Sequence, residues 1–213
     1  MPRTMTAKKK KKSLYSVHPG VAMVQVWIEK LPEKTSRSLE AGIELVQKSG
    51  PPTEKERLEW LKTEHKMGTN GAWWIAERAE GKGLEDGDPE AYLKAAEKYV
   101  EAQYAGPKSH LRPIFERMLE LAFAIGDDVK ACPCLTIVPL YRRHVFAQIK
   151  PTTQTHIDLG FALGNMKTPK RLIDTGGYAK KDRITHRIPL ESLKEIDKEV
   201  ERWLKTAYDL DAE

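Results

Sequence analysis

Residues 144–163 read HVFAQIKPTTQTHIDLGFAL and contain two alternating runs. Val145, Ala147 and Ile149 alternate with His144, Phe146 and Gln148. After PTTQT, Ile157, Leu159, Phe161 and Leu163 alternate with His156, Asp158 and Gly160. A period of two is that of a β-strand, whose successive side chains point to opposite faces. The connection is short and polar, which suits antiparallel neighbours. The pair therefore predicts a sheet with one apolar and one polar face, and the apolar face needs a cover.

The flanking sequence supplies both further strands and the cover. Residues 130–143, KACPCLTIVPLYRR, read as a strand and a turn before the pair, and residues 182–190, DRITHRIPL, as a strand after it, with Ile184, His186 and Ile188 on one side. Upstream, Leu111, Ile114, Met118, Leu121 and Ile125 recur at three and four residues, an amphipathic helix closed by Gly126. Downstream, Ser192 and Glu195 have capping-box spacing ahead of Leu193, Ile196, Val200, Trp203, Leu204 and Ala207 on one helix face. The second half thus reads helix, three or four strands, helix, with both helices on one face of an antiparallel meander.

The first half is punctuated as helices throughout. VAMVQVWIEKL and SLEAGIELVQKSG give two. In PPTEKERLEWLKTEHKMG, Thr53 and Glu56 form a capping box and Leu58, Trp60 and Leu61 a buried stripe. NGAWWIAERAEGKG gives a helix ended by Gly81 and Gly83, and Asp88 with Pro89 opens another that runs to about Tyr104. The fold class expected is α+β: a basic, disordered tail over residues 1–14, an all-helical domain over 15–106, and over 107–213 an antiparallel sheet with two helices on one face.

The net charge of +5 is a property of the tail. Arg3 and Lys8, Lys9, Lys10, Lys11 and Lys12 carry six charges with no acid among them, whereas residues 13–106 hold 12 basic against 16 acidic groups and residues 107–213 hold 18 against 15. A lysine run of this kind holds phosphates in a salt-sensitive, sequence-blind way or simply solubilises the chain. No apolar run approaches the roughly 18 residues of a membrane span, and no secretory segment opens the chain. With Cys132 and Cys134 separated by a single residue and no other cysteine, a disulfide framework is not expected, and a reducing cytoplasm fits.

The sheet face left open by the helices is the expected functional surface. Period two places on it Lys130, Cys132, Cys134 and Thr136 from the first strand and Arg142, His144, Phe146 and Gln148 from the second. His156, Asp158 and Gly160 follow from the third, and Arg183, Thr185 and Arg187 from the last. It is either a ligand floor or the face on which the helical half docks; in the second case Trp73 and Trp74 suit the lid of an interdomain cleft. They also suit a place in the helical core. No metal site is assigned, but Cys132 and Cys134 with His144 are its nearest candidates, short of the four ligands of structural zinc. No nucleophile elbow, HExxH or Walker loop is present. DTGGYAKKDR, residues 174–183, reads as a hairpin loop rather than a phosphate cradle.

KSGPPTEKERLEWLKTEHKMGTNGAWWIAERAEG, residues 48–81, resembles an uncharacterised bacterial helical family, number 4287 in the domain-of-unknown-function series, over about residues 15 to 80. DRITHRIPLESLKEIDKEVERWLKTAYDL, with the strands before it, resembles family 5655 of the same series over about residues 107 to 210. That family is similar to the YjbR-like and frataxin-like group of helix-flanked sheets, and the resemblance implies DNA binding or iron delivery by analogy of fold. In place of a frataxin-type acidic ridge, the helix stretch RPIFERMLELAFAIGDD, residues 112–128, offers only Glu116, Glu120, Asp127 and Asp128.

Three readings of function follow. One is a non-enzymatic, nucleic-acid-associated binding protein using the lysine tail and the Arg142, Arg143, Arg183 and Arg187 edge, with Phe146 for base stacking. Another is a small-ligand or metal-binding module using the open face and the interdomain cleft. The third is an enzyme, for which His144, Asp158 and Arg187 are the acid–base set to propose. No cofactor and no oligomeric state is assigned.

Overall fold

The computed structural model describes residues 13–167 and 169–212, so the lysine run Lys8 to Lys12 lies outside the described residues. The chain divides into two compact units, Val17–Lys98 and the part from Tyr99 onward joined by the chain up to Ser16.

The first unit is built from α1 (Pro19–Glu29), α2 (Leu31–Thr35), α3 (Leu39–Ser49), α4 (Glu54–Thr63) and α5 (Thr69–Arg78), and from the start of α6 (Pro89–Gln103). The capping box forms: the Glu56 N–H donates to the Thr53 hydroxyl (3.3 Å), and the Thr53 N–H donates to Glu56 Oε2 (3.3 Å). Leu31, Leu39, Val46, Leu61, Met67, Ala72, Trp74 and Ile75 close into one core. Complete burial of a side chain such as Leu61 or Ile75 contributes about 1.5–3 kcal/mol. Gly42 lets α3 approach α5, since a Cβ there would stand 2.4 Å from Ile75 Cδ1.

The second unit holds the end of α6, then α7 (Arg112–Ile125), β1 (Lys130–Ala131), β2 (Val138–Tyr141), β3 (Val145–Lys150), β4 (Ile157–Phe161), β5 (Ile173–Asp174), α8 (Gly177–Lys180), β6 (His186–Leu190) and α9 (Lys198–Leu210). The sheet is antiparallel in the order β1-β2-β3-β4-β6-β5, six strands among the described residues where three or four were expected. The stretch read as one strand from Lys130 is divided into β1 and β2, and β5, of two residues, is too short to leave a periodic signal. Helix α9 packs on β3 and β4, and α7 packs on α9. Val138, Leu140, Ala147, Ile149, Ile157, Leu159, Ile188 and Leu190 are fully buried.

Four local expectations are corrected. Phe146 is not on the open face but fully buried, edge-on to Tyr208 of α9 with ring centres 5.6 Å apart. Leu140 pairs with Ala147 and Tyr141 with Val145, so Phe146 is the extra residue of a β-bulge, which breaks the alternation on which its assignment rested. Cys132 is likewise fully buried; its N–H donates to the Pro139 carbonyl (3.0 Å) and the Cys134 N–H to that of Ile137 (2.8 Å), which carries the β1–β2 register on into a tight hairpin. Before His186 the downstream strand is irregular. Thr185 is buried, and Ile184 lies over Gly160 on the polar side, 2.7 Å from where a Gly160 Cβ would stand. Finally, the Ser192 and Glu195 capping box closes a single 3₁₀ turn, Leu193–Glu195, and α9 has its own cap in Asp197, which accepts from the Glu199 and Val200 N–H groups.

Residues 174–183 do connect two antiparallel strands, β5 and β6, with the one turn of α8 between them. Gly177 is needed there, since a Cβ would meet the Ile184 carbonyl oxygen at 2.4 Å.

Candidate functional site

The arginines of the β2–β3 turn hold the last turn of α9 and the residues just after it. Arg142 Nε donates to Asp128 Oδ2 (2.9 Å), its Nη1 donates to the Tyr208 carbonyl (3.2 Å), and its guanidinium lies 4.0 Å from the centre of the Tyr208 ring. Arg143 Nη1 donates to the Ala212 carbonyl (3.0 Å). The Asp211 side chain is 1% exposed. Its Oδ2 accepts from the N–H groups of Arg143 (2.9 Å) and His144 (2.8 Å), and its Oδ1 lies 3.2 Å from His144 Nδ1 and in direct contact with the Arg183 guanidinium. Arg183 Nε donates in turn to the Val145 carbonyl (3.0 Å). The Tyr208 hydroxyl and the Arg142 guanidinium hold the Asp128 carboxyl below the usual carboxylate range, and the same Tyr208–Asp128 bond pushes the Tyr208 phenol up.

Beside Arg183 lies a groove of about 830 Å³. Ala162, Leu163, Ala207 and Leu210 give it apolar walls, and Tyr178, Lys181, Asp182 and Arg183 a polar rim. Thr185 shapes its base, accepting the Leu163 N–H (3.1 Å) and lying 2.9 Å from His186 Nδ1. The backbone explains the rim: Gly176 and Lys181 both adopt left-handed φ (69° and 61°), bracketing α8 so that Tyr178, Lys181 and Arg183 come to one edge.

A second polar cluster surrounds the buried Asp158, beside Gln148, Gly160 and Arg187, which are in register. Asp158 accepts from the Thr152 hydroxyl (2.6 Å) and from Arg187 Nη1 (2.5 Å), with His156 Nε2 3.7 Å away. The His156 ring is positioned through Nδ1, 2.9 Å from the Thr153 hydroxyl. The acid–base set proposed from sequence is therefore divided: Asp158 and Arg187 meet, but His144 is engaged with Asp211.

The remaining candidates are dispersed. Burial pushes the Cys132 thiol up to about 12 and raises that of Cys134, which makes both poor nucleophiles. Among the described residues no three His, Cys, Asp or Glu side chains gather as a metal site, so Cys132, Cys134 and His144 do not form one. Trp74 belongs to the helical core, and Trp73 is exposed. Sequence reasoning passed over Asp211 and Tyr178. Asp211 stands after the last helix with no motif around it, whereas the glycine pair and lysines of residues 174–183 did mark the loop that carries Tyr178 and Lys181.

Residues 100–211, just over half of the chain, match the model of a protein family described as Domain of unknown function (DUF5655). The match covers the sheet and its helices; the likeness of residues 15 to 80 to family 4287 is no part of it. No curated protein and no solved structure matches the chain.

Proposed function

We propose a function on one premise: the chain belongs to the DUF5655 family, and the α+β unit that defines the family is a binding module for a small, partly apolar anion. The observation that carries this reading is the groove beside Arg183. It offers an apolar lining for a hydrocarbon or aromatic body and, at its rim, Lys181 and a guanidinium held in place by Asp211 and the Val145 carbonyl. Its size is in the range of small-molecule sites. A held guanidinium loses little freedom when it takes a second anion. Asp211 is already matched by Arg183 and two backbone N–H groups, which leaves Asp182 as the rim's opposing charge.

The lining favours binding over turnover, because it has no thiol and its one buried hydroxyl, that of Thr185, is engaged by Leu163 and His186. Engagement also weighs against the arginine edge as a nucleic-acid surface: Arg142, Arg143 and Arg183 hold the C-terminal segment and Arg187 holds Asp158. A nucleic-acid role of the body would have to start from other groups. YjbR-like kinship of the sheet is supported by its helix-covered antiparallel design, kinship of the first unit to family 4287 by its run of short capped helices, and cytoplasmic residence by two cysteines held as thiols rather than in a disulfide. No helix among the described residues is long and apolar enough to cross a membrane.

Thermal-shift titration with benzoate and octanoate, and with neutral benzyl alcohol as control, tests the proposal. The anions raise the melting temperature and the alcohol does not. Ala179→Trp, which fills the groove from an exposed position, removes the rise. A rise that survives Ala179→Trp, or none with any anion, refutes it.

A further inference from the structure

A groove of about 400 Å³ lies wholly within the helical unit, between α1, α2 and the start of α5. Trp27 forms one wall. It is 44% exposed, and its ring is stacked on Trp74 with centres 6.0 Å apart and planes 26° apart. An exposed indole backed by a second indole is a rigid platform for a planar ring, and base–aromatic stacking of this kind is indifferent to which base is stacked.

The opposite wall is the first turn of α5. Gly68 occupies the cap position and has no side chain to bond the free N–H groups; the first helical bond runs from the Ala72 N–H to the Gly68 carbonyl (3.0 Å). The N–H groups of Thr69, Asn70 and Gly71 thus face no helical acceptor, and no acid lies in that turn. All three residues line the groove, as does Lys34, which has no ion-pair partner among the described residues. Trp74 adds an independent observation. It is 5% exposed and lines the groove, yet its indole N–H has no acceptor among the described residues. The lining contains no carboxylate, although this half of the chain holds 16 acidic against 12 basic groups. Donors, a cation and the positive end of a helix converge beside an aromatic plate.

We propose that this groove binds a mononucleotide unit, its phosphate on the N–H groups of the α5 first turn and Lys34, and its base against Trp27. The same chemistry is met in a free nucleotide and at the 5′-phosphorylated end of a single strand. The site is independent of the groove in the other unit.

The test uses the full chain, titrated with AMP, with adenosine and with a 5′-phosphorylated thymidine decamer, followed by tryptophan fluorescence. The decisive variant is Gly68→Asp. A Cβ at Gly68 meets nothing within 4 Å, and its φ of −64° and ψ of 154° are ordinary for an aspartate cap. The variant therefore folds with its helix better capped, while its carboxylate takes the place of the phosphate. We expect saturable binding of AMP at least tenfold tighter than of adenosine, a loss of at least tenfold in Gly68→Asp without a lower melting temperature, and a similar loss in Lys34→Gln. AMP alone binding identifies the free nucleotide as the source; a decamer bound at least tenfold tighter than AMP, and lost in Gly68→Asp, identifies the strand end. Adenosine binding as well as AMP, Gly68→Asp binding like the parent, or no saturable binding of either phosphorylated probe overturns the proposal.

Discussion

Arg183 closes directly on Asp211, joining the loop before β6 to the last residues described. Arg183 is half exposed and Asp211 is almost completely enclosed, so the two do not contribute equally. Asp211→Ala strips acceptors from the Arg143 and His144 N–H groups as well as from Arg183, and is expected to cost about 3 kcal/mol. Arg183→Ala leaves the carboxylate its two backbone donors and should cost less than half of that. Urea denaturation of both single variants and the double variant measures the difference; equal costs for the two would contradict the unequal enclosure.

The Tyr208 hydroxyl donates to Asp128 Oδ1 at 2.6 Å and Arg142 donates to the other oxygen, so the folded chain prefers the ionised carboxylate. Because the folded pKa lies below the unfolded one, this contribution is present above the ordinary carboxylate range and is lost as pH falls through the folded value. Asp128→Asn should lower the melting temperature at pH 7 and leave a smaller difference from the parent at pH 3. A difference that does not shrink on acidification rules out the carboxylate as its source.

Glu77 behaves oppositely. Burial, Asp86 and other neighbouring acids raise its pKa, and Oε2 is enclosed without a hydrogen-bond partner. With a folded pKa above the unfolded one, the contribution of Glu77 to the helical unit is fully present below the ordinary carboxylate value and is lost as pH rises through the folded value. Glu77→Gln is expected to raise the melting temperature at pH 7 and to remove the part of its pH dependence that Glu77 contributes between pH 7 and pH 4. A destabilised variant with an unchanged pH profile would show that Arg78 needs that charge more than the acids repel it.

Phe146→Ala discriminates between the two faces of the sheet. On the helix side, where its ring meets Tyr208, truncation costs about 3–5 kcal/mol. On a solvated face the loss would fall within roughly 0.5 kcal/mol. Chemical denaturation reads the difference directly.

Burial should also silence the cysteines. With its thiol pushed up to about 12, Cys132 is expected to resist iodoacetamide at pH 8 for as long as the chain stays folded, and Cys134 to react slowly. Mass spectrometry before and after denaturant gives the answer; rapid double alkylation of the folded chain would mean that this segment opens.

What could be read from the sequence is what neighbours in the chain decide. The capping box at Thr53 and Glu56, the alternation of Ile157, Leu159 and Phe161, and the apolar stripes of α7 and α9 are each set within a few residues, by hydrogen bonds or by the geometry of one helix or strand. They suffice for an α+β chain with a helical first half and a helix-covered antiparallel sheet. The site is less legible. Asp158 and Arg187 were placed together because an unbroken period carries both to one face.

Tertiary structure decided the rest. One bulged residue moved Phe146 to the other face, and the packing around the β1–β2 hairpin enclosed Cys132. Asp211 gathered Arg143, His144 and Arg183 from 28 to 68 positions away. No local pattern encodes such encounters, because strand register and the seating of a terminal helix are chosen by the packing of the whole unit. The sequence alone determined which faces the elements present; which polar groups meet, and which are left free to bind something else, was settled only when those faces closed.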